Sequence, residues 1–202
     1  MKKTAMFKIS CHCGACSFEL LDEKPKLYLF CGCEDCRQAI EWGAMNGAKP
    51  SSPFAKAIYM KSDIGKVNGR AKMKAVQLRK DARSTRVYCE ECYSIIGIDH
   101  PSYQNNVFMF FKNHCETNFK LPEKPEVAIY LDDLPSSEAH LIPTDIPLCH
   151  SFPRDREKFR SIEAVRNSFK EPEGPPVGYL FKDVINSLGK IEILQLEEGR
   201  RL

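Results

Sequence analysis

The sequence has no long apolar run and no segment typical of an exported protein. No stretch approaches the roughly 18 consecutive apolar residues of a membrane-spanning helix. Met1 to Ala5 could begin a signal peptide, but Lys8 and Ser10 interrupt the apolar segment that such a peptide needs. We therefore expect a cytoplasmic protein that has no membrane partner.

What the sequence does contain is an ordinary globular composition with an uneven charge distribution. Its 202 residues are 43% hydrophobic and include 12 Phe and 7 Tyr, enough to build a core. The formal net charge is only +3, yet the segment between Lys56 and Arg86 holds ten basic and two acidic residues. We expect this basic band to be the solvated face of a sheet. The alternative is a nucleic-acid surface on which Tyr59 stacks against a base.

Cysteine is the most informative residue type. Eight of the ten cysteines fall in three tight clusters, and cysteines one or two residues apart bridge each other poorly. In a chain without export signals, such clusters usually bind metal. Redox chemistry of the thioredoxin type is a weaker alternative, because no CxxC pair lies in a βαβ pattern. The cysteines are residues 11, 13, 16, 31, 33, 36, 89, 92, 115 and 149.

Short segments of alternating hydrophobicity predict a mainly β fold with antiparallel sheets. Between the predicted strands, residues 64–69 are typical of a turn region and residues 43–53 of a loop. Arg37 to Trp42 could form one short helical turn. The segments with strand character are residues 6–20, 26–31, 57–61, 73–79, 85–89, 107–112 and 127–131.

The composition changes after Asp-Asp-Leu-Pro-Ser-Ser at residues 132–137. We therefore predict a zinc-binding β domain over residues 8–135 and a C-terminal extension over residues 136–202, with one or two helices packing on that domain. Apolar side chains spaced three, three and four apart predict an amphipathic helix over residues 154–170. A Pro- and Gly-rich segment ends it, and another short helix follows at residues 179–188.

The first and third cysteine clusters together offer the four sulfurs of a closed zinc site. Residues two apart in an extended segment point to the same side, so Cys11 and Cys13 can bind one ion. Cys89 and Cys92 form a CxxC knuckle whose turn directs both sulfurs to one point. Four cysteine ligands are typical of a structural zinc ion.

The middle cluster offers three convergent sulfurs, those of Cys31, Cys33 and Cys36. Three protein ligands and an open fourth position are typical of a catalytic zinc ion. A second structural zinc is the alternative, because the adjacent donor pairs His114-Cys115 and Cys149-His150 could supply a fourth ligand.

The series CHCGAC, CGCEDCR and YCEECYS resembles the glutathione-dependent formaldehyde-activating enzyme family, which includes the centromere protein V-like proteins. That family has CxCGxxxF, then CxCxxCR, then a strand ending in FC or YC followed by xxCG. The resemblance covers roughly residues 8–135 and implies a β-tent-like fold around two zinc ions. It also implies a carbon–sulfur lyase activity, which in reverse condenses glutathione with formaldehyde to S-(hydroxymethyl)glutathione.

For this chain, the resemblance implies a structural zinc held by Cys11, Cys13, Cys89 and Cys92, and a catalytic zinc held by Cys31, Cys33 and Cys36. A small-molecule thiol such as glutathione is the implied partner. Arg37 follows the last ligand and could pair with a carboxylate of that thiol, although a surface ion pair is the alternative. Zinc with an open position can lower the pKa of a thiol or polarise a carbonyl oxygen.

Three positions depart from the family pattern without changing any of the seven presumed ligands. Gly32 stands where histidine is common, and Tyr93 stands where glycine is common. Because a tyrosine adopts a positive φ less readily than glycine, we expect a different turn at Tyr93. Cys16 replaces an apolar residue, and Cys16, Cys115 and Cys149 are expected to be buried small apolar side chains.

The sequence thus predicts a zinc-dependent, lyase-like enzyme that acts on a thiol adduct of a small aldehyde. The alternative is a binding module without catalysis, in which two structural zinc ions support a scaffold. In that case the basic band between Lys56 and Arg86 would bind nucleic acid or a protein partner.

Overall fold

A computed structural model describes residues 7–50, 54–170 and 174–196. Four predictions extend beyond these ranges. They are the start of the strand segment at residue 6, the end of the loop at residues 51–53, the start of the Pro- and Gly-rich segment at residues 171–173, and the end of the C-terminal extension at residues 197–202. The strands are β1 (Phe7–Cys11), β2 (Ser17–Leu20), β3 (Leu27–Cys31), β4 (Ala55–Lys61), β5 (Ile64–Asn68), β6 (Met73–Gln77), β7 (Thr85–Cys89), β8 (Ile95–Asp99), β9 (Val107–Phe111), β10 (Cys115–Thr117), β11 (Val127–Ile129) and β12 (Glu192–Ile193). The helices are α1 (Glu34–Met45), α2 (Phe152–Ser161), α3 (Glu163–Ser168) and α4 (Phe181–Ser187).

The strands form two sheets. The small sheet has the order β10-β1-β2-β5, and the large sheet has the order β11-β3-β4-β9-β8-β7-β6-β12. All pairs are antiparallel except the two at the edges of the large sheet, where β11 runs parallel to β3 and β12 runs parallel to β6. The mainly β, largely antiparallel fold class predicted from the sequence is therefore confirmed.

The large sheet is buried on both faces, and strand alternation decides which side chain lies on which face. In β9, Met109 and Phe111 join the core that α1 and α3 cover, whereas Phe108 and Phe110 join the core between the sheets. The same alternation governs the cysteines. Cys31 follows Leu27 and Leu29 on the helix-covered face, and Cys89 follows Val87 on the face toward the small sheet. The two cysteine clusters therefore lie on opposite faces of one sheet.

Several elements differ from their predictions. The segment 6–20 contains two strands, and β8, β10 and β12 were not predicted. Residues 64–69, predicted as a turn region, contain strand β5, because pairing with β2 outweighs the weak strand preference of Gly65 and Asn68. The helical turn predicted at Arg37 extends into the 12-residue α1, which Cys33 caps. The helix predicted over residues 154–170 is two helices, because Ile162 is extended between them (φ −67°, ψ 124°).

The C-terminal segment packs on both sheets. Phe181 of α4, within the predicted helix at residues 179–188, stacks on Phe108 with ring centroids 4.8 Å apart. A Cβ at Gly97 would lie 2.2 Å from the Phe181 ring, so this contact requires glycine at that position. Asp63 accepts hydrogen bonds from the backbone N–H groups of residues 177 and 178. The boundary at residue 135 between two domains stays a prediction.

His114 is a buried histidine that makes stability depend on pH. Its Nδ1 accepts a hydrogen bond from the backbone N–H of Ile95 at 3.0 Å, and burial lowers its pKa from 6.5 to about 4. Between these values the unfolded chain binds a proton and the folded chain does not, so acid favours unfolding. We expect His114→Asn, whose Oδ1 can replace Nδ1 as acceptor, to remove a stability loss of about 3 kcal/mol between pH 6.5 and pH 4.

Urea unfolding at a series of pH values measures this effect. His140→Asn provides the matched control, because it removes an imidazole that is exposed and not buried. If the free energy of unfolding falls equally between pH 6.5 and pH 4 in wild type and in His114→Asn, His114 is not the cause of the acid sensitivity.

Candidate metal centres

The four-cysteine cluster, Cys11, Cys13, Cys89 and Cys92, has its sulfurs within 4.8 Å of one another. The Cys11 and Cys13 sulfurs are 3.5 Å apart, and the Cys13 and Cys89 sulfurs are 3.8 Å apart. Sulfurs at the corners of a zinc tetrahedron with bonds of ~2.3 Å are separated by about 3.8 Å. The geometry therefore suits a tetrahedral thiolate site that joins the tip of the β1–β2 hairpin to the end of β7.

The turn after Cys92 keeps a conformation that glycine usually provides. Tyr93 has φ 52°, in the left-handed region, so the different turn expected for tyrosine is not found. Its ring stacks on Tyr88 with centroids 5.6 Å apart and meets the edge of Trp42 at 5.7 Å. These aromatic contacts offset the conformational cost of a non-glycine residue at this position.

The three-cysteine cluster has its sulfurs within 4.8 Å of one another where β3 passes into α1. Cys31 ends β3, Cys33 caps the helix, and Cys36 lies in its first turn, with its N–H donating to the Cys33 sulfur at 3.4 Å. The N-terminus of a 12-residue helix carries a partial positive charge and stabilises nearby thiolates.

The sulfurs of this cluster interact strongly in their buried site. Hydrogen bonding to Cys33 and Cys36, together with burial, raises the pKa of Cys31 well above its usual range. The hydrogen bonds that Cys31 and Cys33 make to Cys36, and the charge of Arg86, lower the pKa of Cys36. Three buried thiolates repel one another, and a divalent cation between them reverses the penalty.

Gly32, which replaces a residue that is commonly histidine in the motif, lies in a space that admits no side chain. A Cβ there would lie 2.8 Å from the Tyr130 carbonyl oxygen and 3.0 Å from Leu134 Cγ. The segment just before the predicted boundary at residue 135 thus closes over the cluster.

Cys115 and Cys149, the cysteines considered as a fourth ligand, do not lie within reach of the three sulfurs. No other cysteine, histidine or carboxylate among residues 7–50, 54–170 and 174–196 lies within reach either. Cys115 pairs with Cys11 in the small sheet, and the backbone N–H of Cys149 donates a hydrogen bond to the carbonyl of Ala128. His150 lies 3.2 Å from the Asp132 carboxylate. In the described chain, the fourth position of this cluster has no protein ligand.

Arg37 is buried and forms no ion pair with any residue that the structure describes. Its Nε donates to the Gly32 carbonyl at 3.2 Å, and its Nη2 donates to the Asp133 carbonyl at 3.0 Å. These bonds hold the loop between Cys31 and Cys33 against the segment after β11.

Arg86 was predicted to belong to the solvated basic band. In the structure it is instead a component of the three-cysteine site. It is 1% exposed, and its Nη2 donates to the backbone carbonyl of Asp35, in the first turn of α1 between Cys33 and Cys36, at 3.2 Å. Its Nε is buried without a partner among the residues described. The Asp35 carboxylate pairs with Arg79 instead. The thiolates supply the negative charge nearest to Arg86. Its guanidinium therefore balances negative charge of the three-cysteine cluster.

The rest of the basic band does not form one cationic face. β5 belongs to the small sheet, whereas β4, β6 and β7 belong to the large one. Lys72 and Lys74 face the carboxylates of Glu91 and Glu90, at 2.5 and 3.9 Å. Tyr59, proposed to stack on a base, is only 6% exposed.

With this geometry in place, comparison with known proteins gives a clear result. The family model described as "Glutathione-dependent formaldehyde-activating enzyme" matches residues 6–133, well over half of the chain. The chain belongs to this family. No curated protein matches it. The family match contains all seven cysteines of the two clusters and ends before α2, so the formaldehyde-activating family accounts for the metal centres but not for the C-terminal segment.

The residues present fit the zinc ions that this family implies. All seven donors are sulfurs, which zinc favours, and their spacing suits tetrahedral coordination. The buried Arg86 next to the three-cysteine cluster matches the single negative charge that three thiolates and one divalent ion carry together. No helix in the described parts of the chain has the length and apolarity needed to cross a membrane.

Replacing Arg86 by methionine should weaken zinc binding at the three-cysteine cluster by about 10- to 100-fold, because a charged neighbour of the ligands is lost. The four-cysteine cluster lies on the opposite face of the sheet and should keep its affinity. Stepwise competition with a chromophoric chelator would measure the two affinities separately.

Arg83→Met is the matched control, since Arg83 is an exposed arginine of the same segment. Arg86→Lys should recover part of the affinity because it restores the charge. Equal affinities in wild type and Arg86→Met would show that Arg86 does not balance the cluster.

Proposed function

We propose that the chain is a zinc-dependent, carbon–sulfur lyase-like enzyme acting on S-(hydroxymethyl)glutathione or a closely related thiol adduct of a small aldehyde. The observation that carries the proposal is the difference between the two clusters. One offers four sulfurs, and the other offers three at a helix N-terminus with no fourth donor in the described chain. A site with three protein ligands has a position for substrate.

A zinc ion held by Cys31, Cys33 and Cys36 would supply Lewis acidity toward a thiol or carbonyl oxygen. In the synthetic direction, the thiol sulfur forms a bond to the aldehyde carbon, and the carbonyl oxygen ends with the proton that the thiol gave up. In the lyase direction, the same carbon–sulfur bond breaks and the proton returns to sulfur. The protein must therefore favour a thiolate and move one proton.

The surroundings of the cluster favour an anionic sulfur. Arg86 and the N-terminus of α1 both place positive charge beside the sulfurs. Burial strengthens these interactions because water cannot screen them. A substrate thiol entering this site meets conditions that lower its pKa.

Aromatic side chains exclude water from the same site. Tyr59 and Tyr103 are buried, and their hydroxyl oxygens lie 3.3 Å apart. Burial raises the pKa of both hydroxyls, and the charges of the cluster sulfurs add to this effect. Phe169, from the segment beyond the family match, lies against both rings, with centroids 5.8 and 6.1 Å away. We propose that the C-terminal segment contributes to catalysis by completing this apolar wall.

Tyr130 is our candidate for stabilising the oxygen that becomes negative as the carbon–sulfur bond forms. Burial, followed by the charges of Cys31, Cys33 and Cys36, raises its pKa, so the hydroxyl keeps its proton and acts as a hydrogen-bond donor. It is only half-buried, unlike Tyr59 and Tyr103, so a substrate can reach it. A neutral hydroxyl that donates a hydrogen bond to the developing oxyanion lowers the barrier of the reaction.

Arg37 keeps a narrower role than the one expected from the sequence. Its Nε and Nη2 already donate to backbone carbonyls, so it first positions the loop that carries the ligands. We propose its remaining nitrogen, Nη1, as the donor to a carboxylate of the tripeptide thiol.

Cys33→Ser tests the assignment of the reactive site. We expect the zinc content to fall from two to one per chain, with loss of any acceleration of S-(hydroxymethyl)glutathione formation over the spontaneous rate. Metal analysis, thermal unfolding and an exchange assay between free and adduct formaldehyde would measure these effects. The folded state should persist because the four-cysteine cluster is intact.

Cys149→Ser is the control, since Cys149 is buried outside both clusters. Cys92→Ser breaks the four-cysteine cluster and is expected to unfold. If Cys33→Ser also unfolds, the three-cysteine cluster is structural. If wild-type protein with two zinc ions gives no acceleration, the proposed reaction is wrong.

Tyr130→Phe should lower kcat by about 100-fold, because loss of one hydrogen-bond donor to a developing oxyanion typically costs about 10²–10³-fold, while the zinc content and the fold stay unchanged. The more exposed Tyr179 provides a control through Tyr179→Phe. An unchanged kcat in Tyr130→Phe would remove this tyrosine from the proposed mechanism.

A further inference from the structure

The four-cysteine cluster has a fifth cysteine beside it. Cys16 replaces an apolar residue of the family motif and is fully buried in the same core as Cys11 and Cys89. It is not among the four sulfurs that lie within 4.8 Å of one another, so it belongs to the surroundings of the cluster. Nothing in the proposed reaction uses it.

The β1–β2 hairpin places Cys16 directly opposite Cys11. Ser10 pairs with Ser17 in the sheet, so Cys11 and Cys16 are the next residues across from each other. The Cys11 N–H donates to the Cys16 carbonyl at 3.0 Å, and the Cys16 N–H donates to the Cys11 sulfur at 3.2 Å. Cross-strand neighbours have side chains on the same face of a sheet, so the Cys16 side chain lies on the metal side.

Cys16 is hydrogen-bonded to one ligand of the cluster, Cys11, and its side chain makes one further hydrogen bond in the part of the chain that the structure describes. Its other partner is the Gly69 carbonyl, at 3.6 Å, a long contact for a weak S–H donor. Replacing this contact with a metal bond would lose little.

Of the four cysteines in the cluster, Cys13 is the most exposed to solvent and is the one that Cys16 could replace. Cys13 is exposed, Cys92 is partly exposed, and Cys11 and Cys89 are buried. Cys13 lies in the tight turn at the hairpin tip, where Gly14 has φ 79° and its N–H donates to the Cys11 carbonyl. Electrophiles in solution therefore reach the Cys13 sulfur first.

We propose that Cys16 is a reserve ligand of the four-cysteine cluster, which replaces Cys13 when the Cys13 sulfur is blocked. The structure then keeps a four-sulfur site formed by Cys11, Cys16, Cys89 and Cys92. The exchange requires a side-chain rotation of Cys16 and loss of its thiol proton to solvent. The proposal rests on metal binding at this cluster and not on the reaction proposed at the three-cysteine cluster.

Alkylation of the zinc-loaded protein tests this exchange. Iodoacetamide forms a carbon–sulfur bond at Cys13 with iodide as the leaving group, and peptide mass spectrometry measures the modification. In wild type we expect modified Cys13 with no zinc released to a chromophoric chelator. In Cys16→Ser we expect the same modification to release about one zinc per chain. Cys115→Ser, which removes the other buried cysteine beside Cys11, should behave like wild type.

Direct substitution gives a second measurement that does not depend on the reagent. Cys13→Ser should keep its metal content, its thermal stability and, after cobalt loading, the absorption of a four-thiolate site. Cys13→Ser/Cys16→Ser should lose one metal per chain. Equal zinc release from alkylated wild type and alkylated Cys16→Ser would overturn the proposal. A Cys13→Ser protein that loses metal or unfolds would also overturn it, as would wild type with no metal at this cluster. Failure of the lyase assay would leave these results unaffected.

Discussion

The structure depends on seven cysteine sulfurs held closer together than their negative charges allow without a cation. In both clusters the sulfurs lie within 4.8 Å of one another, mostly out of contact with water. Repulsion between buried thiolates is large, and a bound divalent ion turns it into attraction. A metal ion bound at each cluster would therefore contribute directly to folding, as in other small metal-stabilised domains. One cluster joins the hairpin tip to the large sheet, and the other joins β3 to α1.

Strand alternation separates the two clusters into different chemical settings. Because Cys31 and Cys89 lie on opposite faces of the large sheet, one cluster lies between the sheets and the other lies under α1 and the aromatic side chains. The first is completed by four sulfurs. The second has three sulfurs, a helix N-terminus and the buried Arg86, which together favour an incoming anionic sulfur. The difference in function that we propose follows from this difference in position.

The sequence predicted the clusters well because local spacing determines them. Local spacing places Cys11 close to Cys13 and Cys89 close to Cys92, and the packing of the hairpin on the large sheet then brings the two pairs together. Arg86 was assigned to a surface band, because charge counting along the chain cannot show that its strand brings it under α1. Strand β5 and the break at Ile162 were missed because distant pairing and packing decide them.

The central claim is that the three-cysteine cluster holds a metal ion in addition to the one at the four-cysteine cluster. The most direct test is the zinc content per chain of protein purified without chelator and without added metal. We expect two zinc ions per chain. One zinc per chain would leave the three-cysteine cluster without its ion and would contradict the proposed enzyme. A metal-free protein with disulfides would contradict both metal centres.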